Sequence, residues 1–285
     1  MGQEANAKEK NKCGYPISRA VCLVAVVLLV ALPLVAPAQF EYLFSTNEDC
    51  VINLLQPADE NLVAYVPFTF YLSPLLPPGS LPAEVNVDAV SLLDGGTVVI
   101  SLSEDAVLGG NPYADEDLIG WDGITFSMWW DGSAAGLPPE VNHNAVHIIS
   151  ALPVTFLFSL EEDAVLPGAG LVADEDMLMF SGATFSIVLD GSVEGIPAEA
   201  GVDAISLASD APPLVFLLSL DCAAVIAGTV YDDGDILNYY EPTSAFSLFM
   251  DASAQGIPEE VDVDAVAFLP PEGPTGARNW MLYWR

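Results

Sequence analysis

The chain has very few basic residues. Only six of its 285 residues are Lys or Arg, against 40 Asp and Glu, which gives a formal net charge of −34 at pH 7. Four of the six lie within the first 38 residues, and only Arg278 and Arg285 follow them. Because contacts to phosphate need Lys and Arg, this composition excludes nucleic acid as a partner. A surface of one sign instead favours screening cations or a basic partner.

The first 38 residues have the order of features that is typical of an export signal. A basic start (Lys8 to Arg19) precedes an apolar run over 20–32, and Ala36-Pro37-Ala38 supplies small residues at a cleavage site. We therefore predict a signal peptide over 1–38. The mature chain is then secreted, or lies at the cell surface or in the periplasm. The competing interpretation is an uncleaved N-terminal membrane anchor at 20–38.

A tandem repeat fills the rest of the chain. One block recurs without gaps at 126–144, 185–203 and 246–264, and in an eroded form at 70–88. Each copy follows an apolar segment that ends in Ser and an acidic turn such as Asp174-Glu175-Asp176. Since self-similarity at a fixed period indicates a repeat architecture, we divide the chain into four units. They cover about 40–94, 95–150, 151–209 and 210–270.

Each unit contains four short apolar segments separated by turn formers such as Pro-Gly, Ser-Gly and Asp-Gly. We predict an all-β fold of four tandem four-stranded repeats, arranged as a small β-propeller in a single domain over 39–285. An array of β-sandwich-like repeats is the alternative. Residues 271–285 are predicted to be a closing strand or a truncated fifth unit, because a lone strand needs a partner.

The four cysteines divide into two pairs. Cys13 and Cys22 lie in the leader, whereas Cys50 and Cys222 lie in matching turns of the first and last units. Those two units are neighbours in a closed ring, so we predict a Cys50–Cys222 disulfide, which suits an oxidising compartment. Two unrelated buried thiols are the alternative.

The repeat motif itself is distinctive. The pattern FxxxxDGSxxGxP, followed by Asp-Ala and joined by D-E-D turns, resembles a repeat of large secreted or surface proteins of bacteria. The resemblance covers nearly the whole mature chain and implies export, but no activity. The first unit departs from the pattern, with Leu75-Leu76-Pro77 in place of Asp-Gly-Ser.

Carboxylates recur at five positions of the repeat, and only the third unit keeps all five. Its members are Asp163, Asp174, Asp176, Asp190 and Asp203. Because Ca²⁺ takes oxygen ligands from carboxylates and carbonyls, we predict a Ca²⁺ site formed by Asp174, Asp176 and Asp190, with Asp203 nearby. The competing interpretation is that these residues fix tight turns by bonding to their own backbone.

Two histidines stand out in the second unit. His143 and His147 lie four residues apart on a predicted strand, a spacing that could supply half of a metal site. No cysteine accompanies them and no other unit has either residue, so we expect surface or turn histidines instead.

No nucleophile motif, phosphate-binding loop or dinucleotide fingerprint is present, and we predict no catalytic residue. The predicted function is an exported, non-enzymatic structural or interaction protein of adhesion type, stabilised by Ca²⁺. Its partner is expected at the cell surface, as a glycan or a protein. The alternative is a secreted propeller-type hydrolase acting on polysaccharide, which should carry polar residues unique to one unit at the mouth of the ring.

Overall fold

The computed structural model describes residues 41–45, 63–66, 71–74, 76, 79–93, 96–209, 213–255, 257 and 261–269. The leader over 1–38, Cys50 and the tail over 271–285 lie outside these ranges. Within them, no helix is long and apolar enough to cross a membrane.

The apolar segments form four antiparallel sheets of four strands each. The first sheet contains β4 (Val87–Leu92), β5 (Val98–Leu102), β8 (Leu118–Trp121) and β9 (Phe126–Trp130). The second contains β10 (His143–Ala151), β11 (Val154–Leu160), β14 (Met177–Ser181) and β15 (Thr184–Leu189). The third contains β16 (Val202–Ser209), β17 (Val215–Leu220), β20 (Ile236–Tyr240) and β21 (Ala245–Met250).

The fourth, or closing, sheet joins the two ends of the described chain. It contains β22 (Ala265–Leu269), β1 (Glu41–Ser45), β2 (Val63–Val66) and β3 (Tyr71–Pro74). β22 pairs antiparallel with β1, so that Ala267 lies opposite Leu43. The sheets are therefore offset by one strand from the sequence units, because the innermost strand of every sheet comes from the unit before it.

The four sheets are arranged in a ring. Their innermost strands, β4, β10, β16 and β22, contact one another in a closed cycle. Each space between neighbouring sheets has its own apolar core: Phe156 packs between the first and second sheets, Phe216 between the second and third, and Val266 between the third and closing sheets. Ala267 packs against the first sheet and completes the cycle.

The predicted all-β fold of four-stranded repeats with propeller architecture is confirmed. The alternative array of separate sandwiches is wrong, because every sheet shares a core with the sheet on each side. This sharing explains why second strands such as β5 and β17 are almost continuously apolar, since both of their faces are buried.

Among the described residues, three sheets carry a small hairpin between their second and third strands. The hairpins are β6 (Ala106–Leu108) with β7 (Asn111–Tyr113), β12 (Ala164–Leu166) with β13 (Gly170–Val172), and β18 (Ala224–Ile226) with β19 (Thr229–Tyr231). Because strands of a sheet alternate in direction, the hairpins, the acidic turns and the starts of the innermost strands all lie at one end of the ring. We call this end the hairpin face.

Short helices also lie on the hairpin face. These are α1 (Gly132–Ala135), α2 (Gly191–Glu194) and the 3₁₀ turn Ser253–Gln255, whereas the 3₁₀ turn Glu241–Thr243 joins β20 to β21 at the opposite end of the ring. Asp190 caps α2, accepting hydrogen bonds from the backbone N of Val193 (3.1 Å) and from Oγ of Ser192 (2.8 Å). Asp131 caps α1 in the same way. The Asp-Gly-Ser motif thus starts a helical turn.

Candidate functional site

The acidic turns of the repeat are held together by buried aspartates. Asp176 accepts hydrogen bonds from the backbone N of Ala173 and of Gly191, both at 3.0 Å. Asp117 and Asp235 make the equivalent pair of bonds in their own units. These carboxylates tie each acidic turn to the following helical turn. They therefore fix turns by binding backbone N–H groups, as the competing interpretation of the acidic positions expected.

The structure divides the predicted Ca²⁺ ligands between different places. Asp174 lies in a group with Asp163 and Glu175, whereas Asp203 lies in a second group with Asp262 and Asp264. Asp176 and Asp190 belong to neither group and bind backbone N–H donors instead. Of the predicted set, Asp203 is the residue in the most buried environment, and Ca²⁺ binding remains a prediction.

One end of the predicted disulfide lies outside the described residues. Cys222 is buried, whereas Cys50 is not among the described residues, so the Cys50–Cys222 link remains a prediction. We expect peptide mapping of the non-reduced protein to yield a Cys50–Cys222 cross-linked peptide. Free thiol at Cys50, or a link from Cys222 to another cysteine, would contradict this pairing.

The expectation that both histidines lie at the surface or in turns is wrong. His143 is fully buried on β10, with its ring 5.3 Å from that of Phe158 and 5.6 Å from that of Trp130. Burial lowers the pKa of His143 and of His147 to about 4, so both are neutral at pH 7. His143 is a core residue of the second sheet, whereas His147 is partly buried on the same strand.

The innermost strands begin with polar residues that meet across the seams between sheets. We call these residues the collar: Asn86, Asp88, Asn142, Asn144, Asp203, Asp262 and Asp264. In the first three sheets the strand pairing shifts register at Asp88, Asn144 and Asp203, as it does at a β-bulge. A bulge re-aims a side chain out of the regular alternation. These bulges make the polar side chains available to the neighbouring sheet.

Two of the seams are closed by an amide and a carboxylate. Nδ2 of Asn142 donates to Oδ2 of Asp88, and Nδ2 of Asn86 donates to Oδ2 of Asp264, each at 2.7 Å. The second of these contacts joins the start of the first sheet to the closing sheet. Each Asn side chain therefore crosses from its own strand to the preceding strand of the ring.

The carboxylates of the collar are poorly solvated. Burial raises the pKa of Asp88 to about 7, with the Glu161 and Asp115 carboxylates adding to the effect and the Asn142 hydrogen bond opposing it. Burial also raises the pKa of Asp203 and of Asp262 well above the usual range. The Asp264 carboxylate adds to both effects, whereas hydrogen bonds with Ser219 and Asp262 oppose the rise in the pKa of Asp203. The collar is thus a site where negative charge is unfavourable unless it is compensated.

We expect Asp88 to make the protein less stable as the pH rises. Since its pKa is raised in the folded state, its contribution is fully present below about pH 4 and is lost as the pH rises through about 7. Relative to Asp88→Asn, wild-type unfolding free energy should fall by about 1.4 kcal/mol per pH unit in that window. Urea unfolding in EDTA from pH 4.5 to 7.5 measures the difference, with exposed Asp163→Asn as the control. Parallel profiles of wild type and Asp88→Asn would contradict it.

Sequence reasoning found half of the collar. It included Asp203 among the recurring carboxylates, a position held by Asp88, Asn144 and Asp264 in the other units. It missed the position two residues earlier, which holds Asn86, Asn142, Gly201 and Asp262. The signal was present in the aligned segments VNVD, VNHN, AGVD and VDVD. Only the arrangement of the sheets in a ring brings a residue at one position, such as Asp88, next to a residue at the other position in the following unit, such as Asn142.

No protein-family model and no curated protein matches the sequence. A solved chain from a nidogen/laminin complex has a TM-score of 0.36 and 8% identity, with 82% of this chain and 100% of that chain covered. YCF48 bound to D1 peptide has a TM-score of 0.32 and 8% identity, covering 78% and 61%.

An extracellular domain from B. thetaiotaomicron has a TM-score of 0.28 and 11% identity, covering 72% of this chain but only 22% of that chain. Scores this low carry no argument about function. The protein is a β-repeat protein on the strength of its own four sheets.

Proposed function

We propose that this chain is an exported, non-enzymatic binding scaffold that engages a protein partner through the hairpin face. The observation that carries the proposal is the repetition of one exposed apolar pair on three hairpins. Val165 lies opposite Leu171, and Val225 lies opposite Val230, with exposed fractions between 54% and 71%. In the remaining hairpin, Val107 lies opposite Pro112.

These pairs are not needed for the cores. In each hairpin the residues on either side of the exposed valine are buried, as Ala164 and Leu166 are beside Val165. The alternation fixes the hairpin on the ring through one face and leaves the other face to solvent. Apolar side chains displayed at matching places on successive repeats are typical of an interaction surface.

The surroundings of the hairpins indicate a basic partner. Each hairpin follows directly on acidic residues: Glu104 and Asp105 in the first, Glu161 to Asp163 in the second, and Asp221 in the third. A partner surface that combines apolar groups with Lys or Arg would complement both the exposed apolar pairs and the acidic residues beside them.

The collar does not support the hydrolase alternative. A polysaccharide hydrolase needs carboxyl groups that reach the scissile bond of a bound sugar chain. Asp88, Asp203 and Asp262, whose pKa values are raised, are all less than a tenth exposed. Burial makes them suitable for holding the ring together rather than for contacting a polymer.

A photo-crosslinking amino acid placed at 107, 165 and 225 tests the proposal in the extracellular fraction of the source cells. Ile124 is the matched control, because it is 87% exposed and apolar but lies at the opposite end of the ring. We expect all three hairpin positions to capture one common protein and position 124 to capture none. Equal capture from position 124, or turnover of a polysaccharide by the purified chain, would overturn the proposal.

A further inference from the structure

One of the four seams of the collar brings two carboxyl groups together. At two seams an Asn of one strand donates to an Asp of the preceding strand: Asn142 to Asp88, and Asn86 to Asp264. At the seam between the third and closing sheets, Asp262 occupies the place of the Asn and meets Asp203. Two carboxyl groups therefore stand where the Asn142 and Asn86 seams have a carboxylate and an amide, while the remaining seam has Asn144 and Gly201 at these positions.

A third carboxyl group completes this cluster. Asp203, Asp262 and Asp264 offer oxygens that all lie within 4.8 Å of one another. The three residues are only 3%, 7% and 9% exposed. Asp203 belongs to β16 of the third sheet, whereas Asp262 and Asp264 lead directly into β22 of the closing sheet.

One oxygen of the cluster has no hydrogen-bond donor among the described residues. Oδ1 of Asp203 accepts from the hydroxyl of Ser219 at 2.6 Å, but Oδ2 of the same carboxylate is buried and accepts from no N–H or O–H group. Leaving a buried carboxylate oxygen uncompensated is costly, so native structures pair such groups or use them to coordinate a metal.

The described part of the chain holds no Lys or Arg that could compensate the cluster. His143 and His147 are packed on β10 and are neutral at pH 7. Compensation must therefore come from a proton shared between the carboxyl groups or from a cation outside these ranges. Three convergent carboxylates are hard oxygen ligands suited to a divalent ion.

We propose that Asp203, Asp262 and Asp264 bind a divalent cation, Ca²⁺, that joins the third sheet to the closing strand. Ligands at about 2.4 Å from one Ca²⁺ are separated by at most about 4.8 Å, and these oxygens all lie within that distance of one another, so one ion can contact all three. The absence of nitrogen and sulfur ligands from the cluster argues against Zn²⁺. The ion would hold β22 against the third sheet, and β22 is the strand that pairs with β1 to close the ring.

The proposal is independent of any partner at the hairpins, and Asp262→Asn tests it directly. That substitution gives this seam the same amide–carboxylate pair that Asn86 and Asn142 form at two of the other seams. We expect wild-type protein to bind one Ca²⁺ tightly enough for calorimetry, with a Kd of about 10⁻⁴ M. Millimolar Ca²⁺ should raise its melting temperature above the EDTA value by about 5 °C.

In Asp262→Asn we expect at least a tenfold loss of Ca²⁺ affinity together with a melting temperature in EDTA no lower than that of wild type. Asp203→Asn should lose affinity as well and gives a second variant. Asp163→Asn removes a carboxylate from the other acidic group and should leave tight binding unchanged. Wild-type protein that neither binds Ca²⁺ nor melts higher in its presence would overturn the site, because a shared proton would then hold the cluster. Unchanged affinity in both Asp262→Asn and Asp203→Asn would overturn it too.

Discussion

A chain of residues 39–257 should lose its cooperative fold, whereas a chain of residues 39–270 should keep it. The segment that separates the two contains β22 and the residues that lead into it. Val261, Val263 and Val266 are each less than 5% exposed, and burying a Val contributes about 1.5–3 kcal/mol. Their removal alone costs about 5 kcal/mol, which is comparable to the whole stability of many domains.

Loss of β22 should also affect both neighbouring sheets. Val266 packs with the third sheet, Ala265 and Ala267 pack with the first, and the backbone pairs with β1. Thermal unfolding followed by circular dichroism measures the effect. If 39–257 melts like 39–270, β22 does not close the ring. If 39–270 is as unstable as 39–257, the tail over 271–285 supplies the closing strand that the sequence predicted there.

A point substitution tests the role of β22 in closing the ring without shortening the chain. Val266→Asp in the full chain places an unpaired carboxylate in the core between the third and closing sheets, and unpaired buried charge is strongly destabilising. We expect it to unfold the ring about as effectively as the truncation. Val107→Asp, on an exposed hairpin, is the matched control and should leave the melting temperature unchanged.

Gly191→Ala should destabilise the protein by about 3 kcal/mol, because a methyl group overpacks a closed contact. A Cβ at Gly191 would lie 2.2 Å from the backbone oxygen of Glu175 and 2.6 Å from its Cγ. Gly132 faces Glu116 in the same way in the second unit. The Gly of Asp-Gly-Ser is thus required by its packing against the acidic turn.

The last unit shows how this contact can be changed. There Ala252 replaces the Gly, and Gly234 replaces the Glu of the acidic turn. We therefore expect Gly191→Ala combined with Glu175→Gly to be more stable than the sum of the two single changes by about 2 kcal/mol. Urea unfolding of the four proteins in this cycle measures the coupling. Strictly additive changes in unfolding free energy would contradict the coupling. Ala252→Gly is the control, and we expect it to lower the unfolding free energy by about 1 kcal/mol or less.

The repeat predicted the sheets well because strand signals are local. Apolar runs such as 154–160 and turn formers such as Asp190-Gly191 determine where strands begin and end, and the structure has β11 at Val154–Leu160. The same signals say nothing about which strands share a sheet. The fourth segment of each unit therefore belongs to the next sheet, a fact that depends on pairing between distant residues.

The candidate site was harder to predict for a related reason. The acidic columns contain residues with different roles: Asp176 and Asp190 bind backbone N–H groups, whereas Asp203 meets a carboxylate of another unit. All are Asp beside a turn in the sequence. Only the bulge before Ala204 and the closure of the ring distinguish the collar from the turns. The burial of His143 likewise follows from packing against Trp130, which the spacing of the histidines does not indicate.

Hydrogen exchange of residues 39–285, followed by mass spectrometry, tests the central claim that four sheets form a ring closed between the two ends of the described chain. Strand β1 pairs with β22 and has no other partner on that side. We predict that peptides covering 41–45 and 265–269 are both protected, and that Val266→Asp removes protection from both together. Rapid exchange at 41–45 beside protected β11 and β17 would contradict the ring.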